Sequence, residues 1–456
     1  MTQAANAEKL AAIILAAGKG TRMKSATPKV LHKVAGLAML GHAVKALDGL
    51  GLEKLVLVLA PDQDEVVEAA SSWVKDPSIL ASAVQDPPRG TGHAVMAAMP
   101  QLAGVTGDVI VAFGDTPLVR PETYQALLAP RRNGADIVVS GFRATGPHMY
   151  GRLVLGQDGA LERIVEHKDA TEDERAIDLC NGGIMLIAGA HLADLLGMLS
   201  DDNAQGEYYL TDMIAHARAK GLTCAVAEGN AEDVLGVNSR VELAGVEMIM
   251  QDRLRRRAME NGATLADPAS TYFSWDTQLG QDVEVGPHVT FGPNVLVENN
   301  VAIHAYSHLE GCIVHDKAQV GPYARLRPGA ELMEGSKVGN FVELKKTRLG
   351  PGAKANHLAY LGDAEIGADA NVGAGTITCN YDGYDKFPTK IGARAFVGSN
   401  STLVAPVTIE DDAFTGAGGT ITKTVEAGAL GVARAKQSNI AGWVARFRSK
   451  KAKKGK

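Results

Sequence analysis

Bulky side chains are scarce in this chain. Phe, Trp and Tyr together make 5% of its 456 residues, whereas Gly alone contributes 51. So long a chain exceeds one ordinary domain, and few aromatic anchors with many backbone turns fit a repeat architecture. Cysteine is also scarce. Cys180, Cys224, Cys312 and Cys379 include no Cys-x-x-Cys pair, which leaves no basis for a disulfide framework or a zinc knuckle. Excess positive charge is missing: 46 Lys and Arg against 52 Asp and Glu leave a net charge of −6. The protein is therefore no general polyanion binder, and an anionic substrate must meet local positive charge. No apolar run is long enough to span a bilayer, so no membrane partner is expected. The apolar stretch Leu10–Ala17 lacks a basic flank, because Glu8 offsets Lys9. It reads as a buried first strand rather than a secretory signal, and the protein as cytoplasmic.

Up to about Asn238 the pattern is α/β. Apolar, β-prone runs recur at Ala12–Ala17, Leu55–Ala60, Val109–Phe113 and Ile137–Phe142, with helical patterns such as Pro121–Leu128 and Tyr209–Ala219. Alternating strands and helices predict a mostly parallel, covered sheet with ligands at the strands' carboxyl ends. Val241–Met259 then has apolar residues at helical spacing and stops at Asn261-Gly262, as a connecting helix would. Its Arg253, Arg255, Arg256 and Arg257 read as a solvated last turn favoured by the helix dipole.

From Leu279 the sequence repeats. Leu279, Val285, Phe291, Val297, Ile303 and Leu309 come every six residues. After a one-residue slip, Val314, Val320, Leu326, Leu332 and Val338 continue the series. Ile366 and Val372 resume it, then Ile391, Val397, Leu403 and Ile409. One inward aliphatic per hexapeptide, often followed by Gly, predicts a parallel β-helix whose stacked coils bury an aliphatic ladder. Thr378–Thr389 interrupts the period and reads as a loop inserted on one face. Arg446–Lys456 is mostly basic and reads as a solvated tail; nucleic acid is not expected as a partner.

Leu15-Ala16-Ala17-Gly18-Lys19-Gly20-Thr21-Arg22-Met23 follows the first strand. Ile13 stands where a Walker P-loop needs Gly, and Met23 where a dinucleotide fingerprint does. What remains is a strand-to-helix loop with free N–H groups and nearby cations, suited to a triphosphate, although an ordinary tight turn would look alike. The longer run, ending in Pro28-Lys29, resembles the signature of sugar-1-phosphate nucleotidyltransferases. Further segments resemble that family in order: Gln85 with Gly90-Thr91-Gly92-His93-Ala94, Phe113-Gly114-Asp115-Thr116-Pro117-Leu118, Tyr150-Gly151-Arg152, Ile164–Asp169, Asn181-Gly182-Gly183-Ile184 and Gly236-Val237-Asn238. The resemblance implies that Leu15, Ala16, Ala17, Gly18, Gln85, Gly90, Thr91, Phe113, Gly114 and Asp115 bind UTP. By the same resemblance Asp115 and Asn238 hold Mg²⁺, Arg22 and Lys29 neutralise phosphates, and Gly151, Glu166 and Asn181 meet the sugar. Such a set suits attack of one phosphate on another, which is mainly positioning and charge neutralisation.

In the second half, Arg325-Leu326-Arg327-Pro328, Val338–Lys346, His357–Asp363 and Gly375–Tyr381 carry residues that coil packing does not require. They resemble left-handed β-helix acyltransferases. From about Leu10 to Arg434 the chain resembles the bifunctional N-acetylglucosamine-1-phosphate uridylyltransferase/glucosamine-1-phosphate N-acetyltransferases. That implies a Rossmann-like nucleotidyltransferase domain (1–238), a linker helix (239–262), a left-handed parallel β-helix acetyltransferase (263–435) and a basic tail (436–456). It further implies His357 as general base, oriented or polarised by Glu343. Arg327, Lys345, Tyr360 and Lys386 then clamp the sugar phosphate, and Asn371 and Asn380 position the amine. Ala374, Tyr381, Ser399, Ala417 and Arg434, with Asn380 again, would contact acetyl-CoA. The partners implied are UTP, glucosamine 1-phosphate, N-acetylglucosamine 1-phosphate and acetyl-CoA, in a homotrimer with active sites between neighbouring β-helices. Two alternatives stay open: a single-activity pyrophosphorylase with a structural β-helix, and a non-catalytic scaffold.

Overall fold

A computed structural model describes residues 9–145, 148–203 and 205–452. The chain forms two compact units, Met1–Arg253 and Leu254–Lys456.

In the first unit, seven strands form a sheet in the order Cys224–Glu228, Ile137–Arg143, Leu179–Ile187, Asp108–Phe113, Leu10–Leu15, Lys54–Leu59 and Leu80–Val84. Leu179–Ile187 is antiparallel to both neighbours; the other pairings are parallel. Leu10–Leu15 is buried along its whole length because both of its faces are covered. Ala11, Ile13 and Leu15 enter one core layer, and Leu10, Ala12 and Ile14 the other. The short pair Arg152–Leu155 and Leu161–Val165 joins the sheet through Cys180 and Arg152. The glycine-rich loop leaves the carboxyl end of the first strand, beside the end of Asp108–Phe113, where a parallel sheet opens its ligand crevice.

The connecting helix runs Arg240–Glu260. Ser239 and Glu242 cap its start: Glu242 Oε2 accepts from the N–H of Ser239 at 2.9 Å, and Ser239 Oγ accepts from that of Glu242 at 3.3 Å. The arginine cluster departs only in part from the solvated turn expected: Arg256 and Arg257 are exposed, but Arg253, Arg255 and Arg257 also meet backbone carbonyls. Arg253 donates to the Leu118 carbonyl and to buried Asp233, each at 2.8 Å. Arg255 donates to the Thr271 carbonyl at 2.9 Å, and Arg257 to that of Trp275 at 3.3 Å. Guanidinium groups bond carbonyls left without ladder partners, and this need outweighs exposure at the helix terminus.

The second unit is a left-handed parallel β-helix. Many of the inward aliphatics close a two-residue strand, as in Glu284–Val285, Ala302–Ile303 and Gln319–Val320. These strands stack in parallel columns, one of ten from Thr264–Leu265 to Leu430–Gly431. That column begins a coil before Leu279, since Leu265 pairs with Val285. Corners turn through left-handed residues, including Asn294, Asn300 and Asp369. The slip falls at Gly311 (φ +55°), where Leu309 and Val314 sit on successive strands. Val338 pairs with Ala355, and Leu344 with Leu361, so the ladder is unbroken where the hexapeptide period lapses. Val372 then pairs with Val397, which loops out the segment between Cys379 and Thr389. Beyond the coils, Trp443–Ala452 is an exposed helix within the segment read as a tail.

Candidate active sites

The first site is a cleft of about 360 Å³ lined by Leu15, Ala16, Ala17, Gly18, Lys29, Val30, Gln85, Pro88, Gly90, Thr91, Ala94, Phe113, Asp115 and Glu207. Nine of the ten residues expected at UTP, all but Gly114, thus line one space together with Lys29. Gln85 is buried, and its Nε2 donates to the Gly90 carbonyl at 2.9 Å, which ties one wall to the next. Gly90 has φ +99°, and a Cβ there would lie 2.6 Å from the Tyr208 carbonyl oxygen, so this position needs glycine. Gly92 N–H donates to that same carbonyl at 2.7 Å. Glu207 thus lines the cleft and the Tyr208 carbonyl braces its Gly90–Gly92 wall, although nothing in their sequence context marks them.

Lys29 is the centre of charge. Its ammonium donates to Asp115 Oδ2, and to Asn238 Oδ1 at 3.1 Å. Two backbone N–H donors fix the strap that carries Asn238. The Val237 N–H donates to the Asp115 carbonyl at 2.9 Å, and the Asn238 N–H to Glu242 Oε2 at 2.6 Å. Asp115 and Asn238 therefore present two hard oxygen donors to one cation, and an ammonium already stands between them. That donor chemistry fits Mg²⁺, which takes few protein ligands and completes its shell with water and phosphate. Among the described residues, no three or more His, Cys, Asp or Glu side chains gather as a metal site. Arg22, in the turn Thr21–Met23, is exposed and does not line the cleft.

Gly151, Glu166 and Asn181 come together nearby. Asn181 N–H donates to the Gly151 carbonyl at 2.9 Å, and a Cβ on Gly151 would lie 3.5 Å from Glu166 Oε2. Burial pushes the Glu166 carboxyl up; a hydrogen bond from Thr211 opposes this, and Asp169 and Asp212 add to it. Gly114 is buried behind Asp115, its N–H donating to the Leu15 carbonyl at 3.0 Å.

In the β-helix, one corner gathers the second set. Leu358 N–H donates to the Asn340 carbonyl (3.0 Å), and Gly375 N–H to that of His357 (3.3 Å). Asn400 N–H donates to Ala374 (2.7 Å), Gly418 N–H to Ser399 (2.8 Å), and the Arg434 guanidinium to Ala417 (2.9 Å). Asn340, His357, Ala374, Ser399, Ala417 and Arg434 thus rise along successive coils. Nδ1 of exposed His357 lies 2.6 Å from Asn340 Oδ1. Glu343 is occupied elsewhere: it pairs with Arg327 Nη1 at 2.9 Å, and stands between Arg325 and Tyr360 in the ladder. Lys345 lies one position after the inward Leu344 on that strand. It lowers the pKa of Lys386 on the inserted loop, through hydrogen bonding and charge repulsion. Tyr381 bridges back to Lys386 across this loop, and Asn380, buried at its base, donates to Asp363. Asn371 sits one coil after Lys354 in the column that carries His357.

The N-terminal unit matches the MobA-like NTP transferase domain over residues 12–233, and residues 388–423 match the hexapeptide repeat of succinyl-transferase. The bifunctional protein GlmU of Paramagnetospirillum magneticum is 51% identical over 448 residues, covering 98% of each chain. The chain belongs to the bifunctional GlmU family. The bifunctional protein GlmU of Parvibaculum lavamentivorans is 54% identical over 439 residues (96% of each chain), and that of Zymomonas mobilis 45% identical over 446 (97% of this chain, 98% of the other). In this GlmU-family chain the two constellations stand in separate units, one at a sheet crevice and one on a β-helix corner. No helix among the described residues is long and apolar enough to cross a membrane.

Proposed function

We propose that the chain makes UDP-N-acetylglucosamine in two steps. The β-helix moves acetyl from acetyl-CoA to the amine of glucosamine 1-phosphate. The N-terminal unit then transfers uridylyl from UTP to N-acetylglucosamine 1-phosphate and releases pyrophosphate. The observation that carries this reading is the pairing, in one chain, of Lys29 on Asp115 and Asn238 with His357 on Asn340. A merely structural solenoid has no use for the second.

In acetyl transfer, an acceptor oxygen at Nδ1 leaves the His357 proton on that nitrogen and the Nε2 lone pair free. Nε2 takes a proton from the substrate amine, the nitrogen attacks the thioester carbonyl, and the C–S bond breaks to release coenzyme A. Arg327, Lys345, Tyr360 and Lys386 hold the sugar phosphate, and Glu343 holds Arg327. Asn371 and Asn380 set the amine. Ala374, Tyr381, Ser399, Ala417 and Arg434 line the path of the acyl donor. With Cys379 lacking an obvious activating partner in the sequence, transfer is direct.

In uridylyl transfer, Mg²⁺ held by Asp115 and Asn238 would neutralise phosphate charge. The Leu15–Gly18 loop, Gln85, Gly90 and Thr91 seat the nucleotide, and Arg22 and Lys29 meet its phosphates. Glu166 and Asn181 bond the sugar, so the attacking phosphate is held in line. The protein works in the cytoplasm as a homotrimer.

The test supplies glucosamine 1-phosphate, acetyl-CoA, UTP and Mg²⁺ and follows thiol and pyrophosphate separately. Asp115→Ala should abolish pyrophosphate release alone. His357→Ala should abolish thiol release, yet spare pyrophosphate release from N-acetylglucosamine 1-phosphate. Pyrophosphate without thiol in the unaltered protein would leave a single-activity pyrophosphorylase.

A further inference from the structure

The Lys29 ammonium occupies the place between two oxygens that a metal would need. Its side chain is 11% exposed and that of Asp115 19%, so neither charge is left to water. A partly buried carboxylate without a counter-charge is costly, and Lys29 removes that cost while no metal is present. Metal binding at Asp115 and Asn238 therefore displaces an ion pair rather than filling a free pair of oxygens.

The surroundings give the ammonium a second place to go. Lys29 lines the same cleft as Ala17 and Gly18, where the glycine-rich loop leaves its strand; the Ala16 N–H before them donates to the Val58 carbonyl at 2.8 Å, and the loop backbone beyond it suits phosphate. The stem is packed by the loop, whereas the head is held by Asp115 and Asn238, the two groups a metal would take. A Cβ on Gly20 would sit 2.6 Å from Lys29 Cβ and 3.4 Å from Cγ, so the loop packs on the base of the side chain. Gly20 itself has φ +60°, which glycine adopts without strain. A compact charge on a flexible four-carbon stem can serve two positions from one anchor, which a planar guanidinium does less readily.

Resting on the metal and phosphate roles proposed above, we propose that Lys29 is an exchangeable counter-ion. It holds the Asp115–Asn238 pair in the metal-free protein and moves to the triphosphate when the metal arrives. Free divalent cation is then a poor competitor for the site, because it must leave an ammonium stranded. A nucleotide that receives the ammonium strengthens metal binding, and by linkage the metal strengthens nucleotide binding equally. Lys29 thereby makes the metal–nucleotide complex, rather than either part, the species that binds well.

The test needs no turnover. Mn²⁺ binding to the nucleotide-free, full-length protein is measured from the electron paramagnetic resonance signal of the free ion, with Asp115→Asn identifying the fraction at this site. Lys29→Met should tighten Asp115-dependent binding about tenfold or more, as removal of one competing ion pair predicts. In the unaltered protein, Mg²⁺ alone should raise the rate at which acetic anhydride labels Lys29 several-fold, with exposed Lys354 as internal reference; this arm stands if the variant does not fold. Unchanged or weaker Mn²⁺ binding by Lys29→Met overturns the exchange while leaving the metal site standing. So does unchanged Lys29 labelling once Mg²⁺ is bound. Absence of any Asp115-dependent binding in all proteins overturns both the exchange and the metal role of Asp115.

Discussion

Nδ1 of His357 lies 2.6 Å from Oδ1 of Asn340, its register partner on the preceding coil. The two are held in place by the ladder, so the imidazole is oriented by its neighbour's backbone as much as by one hydrogen bond. Asn340→Ala should lower acetyl transfer by about 10²-fold, the lower range of a positioned general base. Uridylyl transfer from N-acetylglucosamine 1-phosphate should be unaffected. Separate thiol and pyrophosphate assays check this, and an Asn340→Ala protein with unaltered thiol release would remove Asn340 from the mechanism.

Lys345 lowers the pKa of Lys386, so the loop lysine sheds its proton at lower pH than an ordinary lysine. A sugar phosphate placed between them would relieve the repulsion, as the phosphate clamp proposed for this pair requires. The KM for glucosamine 1-phosphate should therefore rise with alkaline pH earlier than a normal lysine would require. Lys345→Ala should raise that KM about tenfold at neutral pH, as loss of a charge-assisted bond predicts, and move the alkaline rise to higher pH. An alkaline limb that does not move would show that the two lysines do not share the phosphate.

These sites were legible in the sequence to different depths. The inward ladder showed itself because burial demands one aliphatic per side of a coil. It lapsed where Leu344 and Leu349 fall five apart on one seven-residue strand, a spacing that the hexapeptide template rejects. Leu179–Ile187 was hidden because Gly182-Gly183 breaks its alternation, and its register shifts between Asn181 and Met185. Leu80–Val84 is an edge strand with small residues and little burial. Asn340 stood inside a recognised motif, yet its partnership with His357 depends on a coil register that no local pattern encodes. Glu207 reaches the cleft from a loop whose composition is ordinary.

His315 faces a carboxylate on each side: Nδ1 is 3.0 Å from Glu298 and Nε2 3.1 Å from Glu331, which also meets Arg348 at 3.4 Å. Both nitrogens must carry protons to satisfy both acceptors. Burial lowers the pKa of this imidazole, but the bonds to Glu331 and Glu298 outweigh it and the net shift is upward. A raised folded pKa gives stability that is complete below the ordinary value of 6.5 and is lost as pH rises through the folded value. His315→Gln should therefore destabilise the β-helix by about 0.5–1 kcal/mol at about pH 6, after solvent screening, and by less at about pH 9. Thermal unfolding at the two pH values checks the sign; an equal loss at both would mean that the histidine acts through packing alone.

Glu166 sets function against stability. Burial raises its pKa first of all, with Asp169 and Asp212 adding to the effect and Thr211 opposing it. The folded protein thus binds this proton more tightly than the unfolded chain, and stability falls as pH climbs from the carboxyl's ordinary range through the raised value. A charge kept at such a place needs a use, and in the function proposed above sugar hydroxyl or amide protons would supply one. Glu166→Gln should raise the melting temperature of the N-terminal unit at about pH 8 and leave it unchanged near pH 4, where the unaltered side chain is neutral. The same variant should raise the KM for N-acetylglucosamine 1-phosphate about tenfold or more, because an amide presents only one acceptor oxygen to the sugar. Calorimetry and pyrophosphate release on one preparation decide the matter. A variant that is stabilised but keeps its KM would mean that the buried charge does not meet the sugar, and a variant that is destabilised at both pH values would mean that Thr211 and its neighbours, rather than substrate, are what the carboxylate serves.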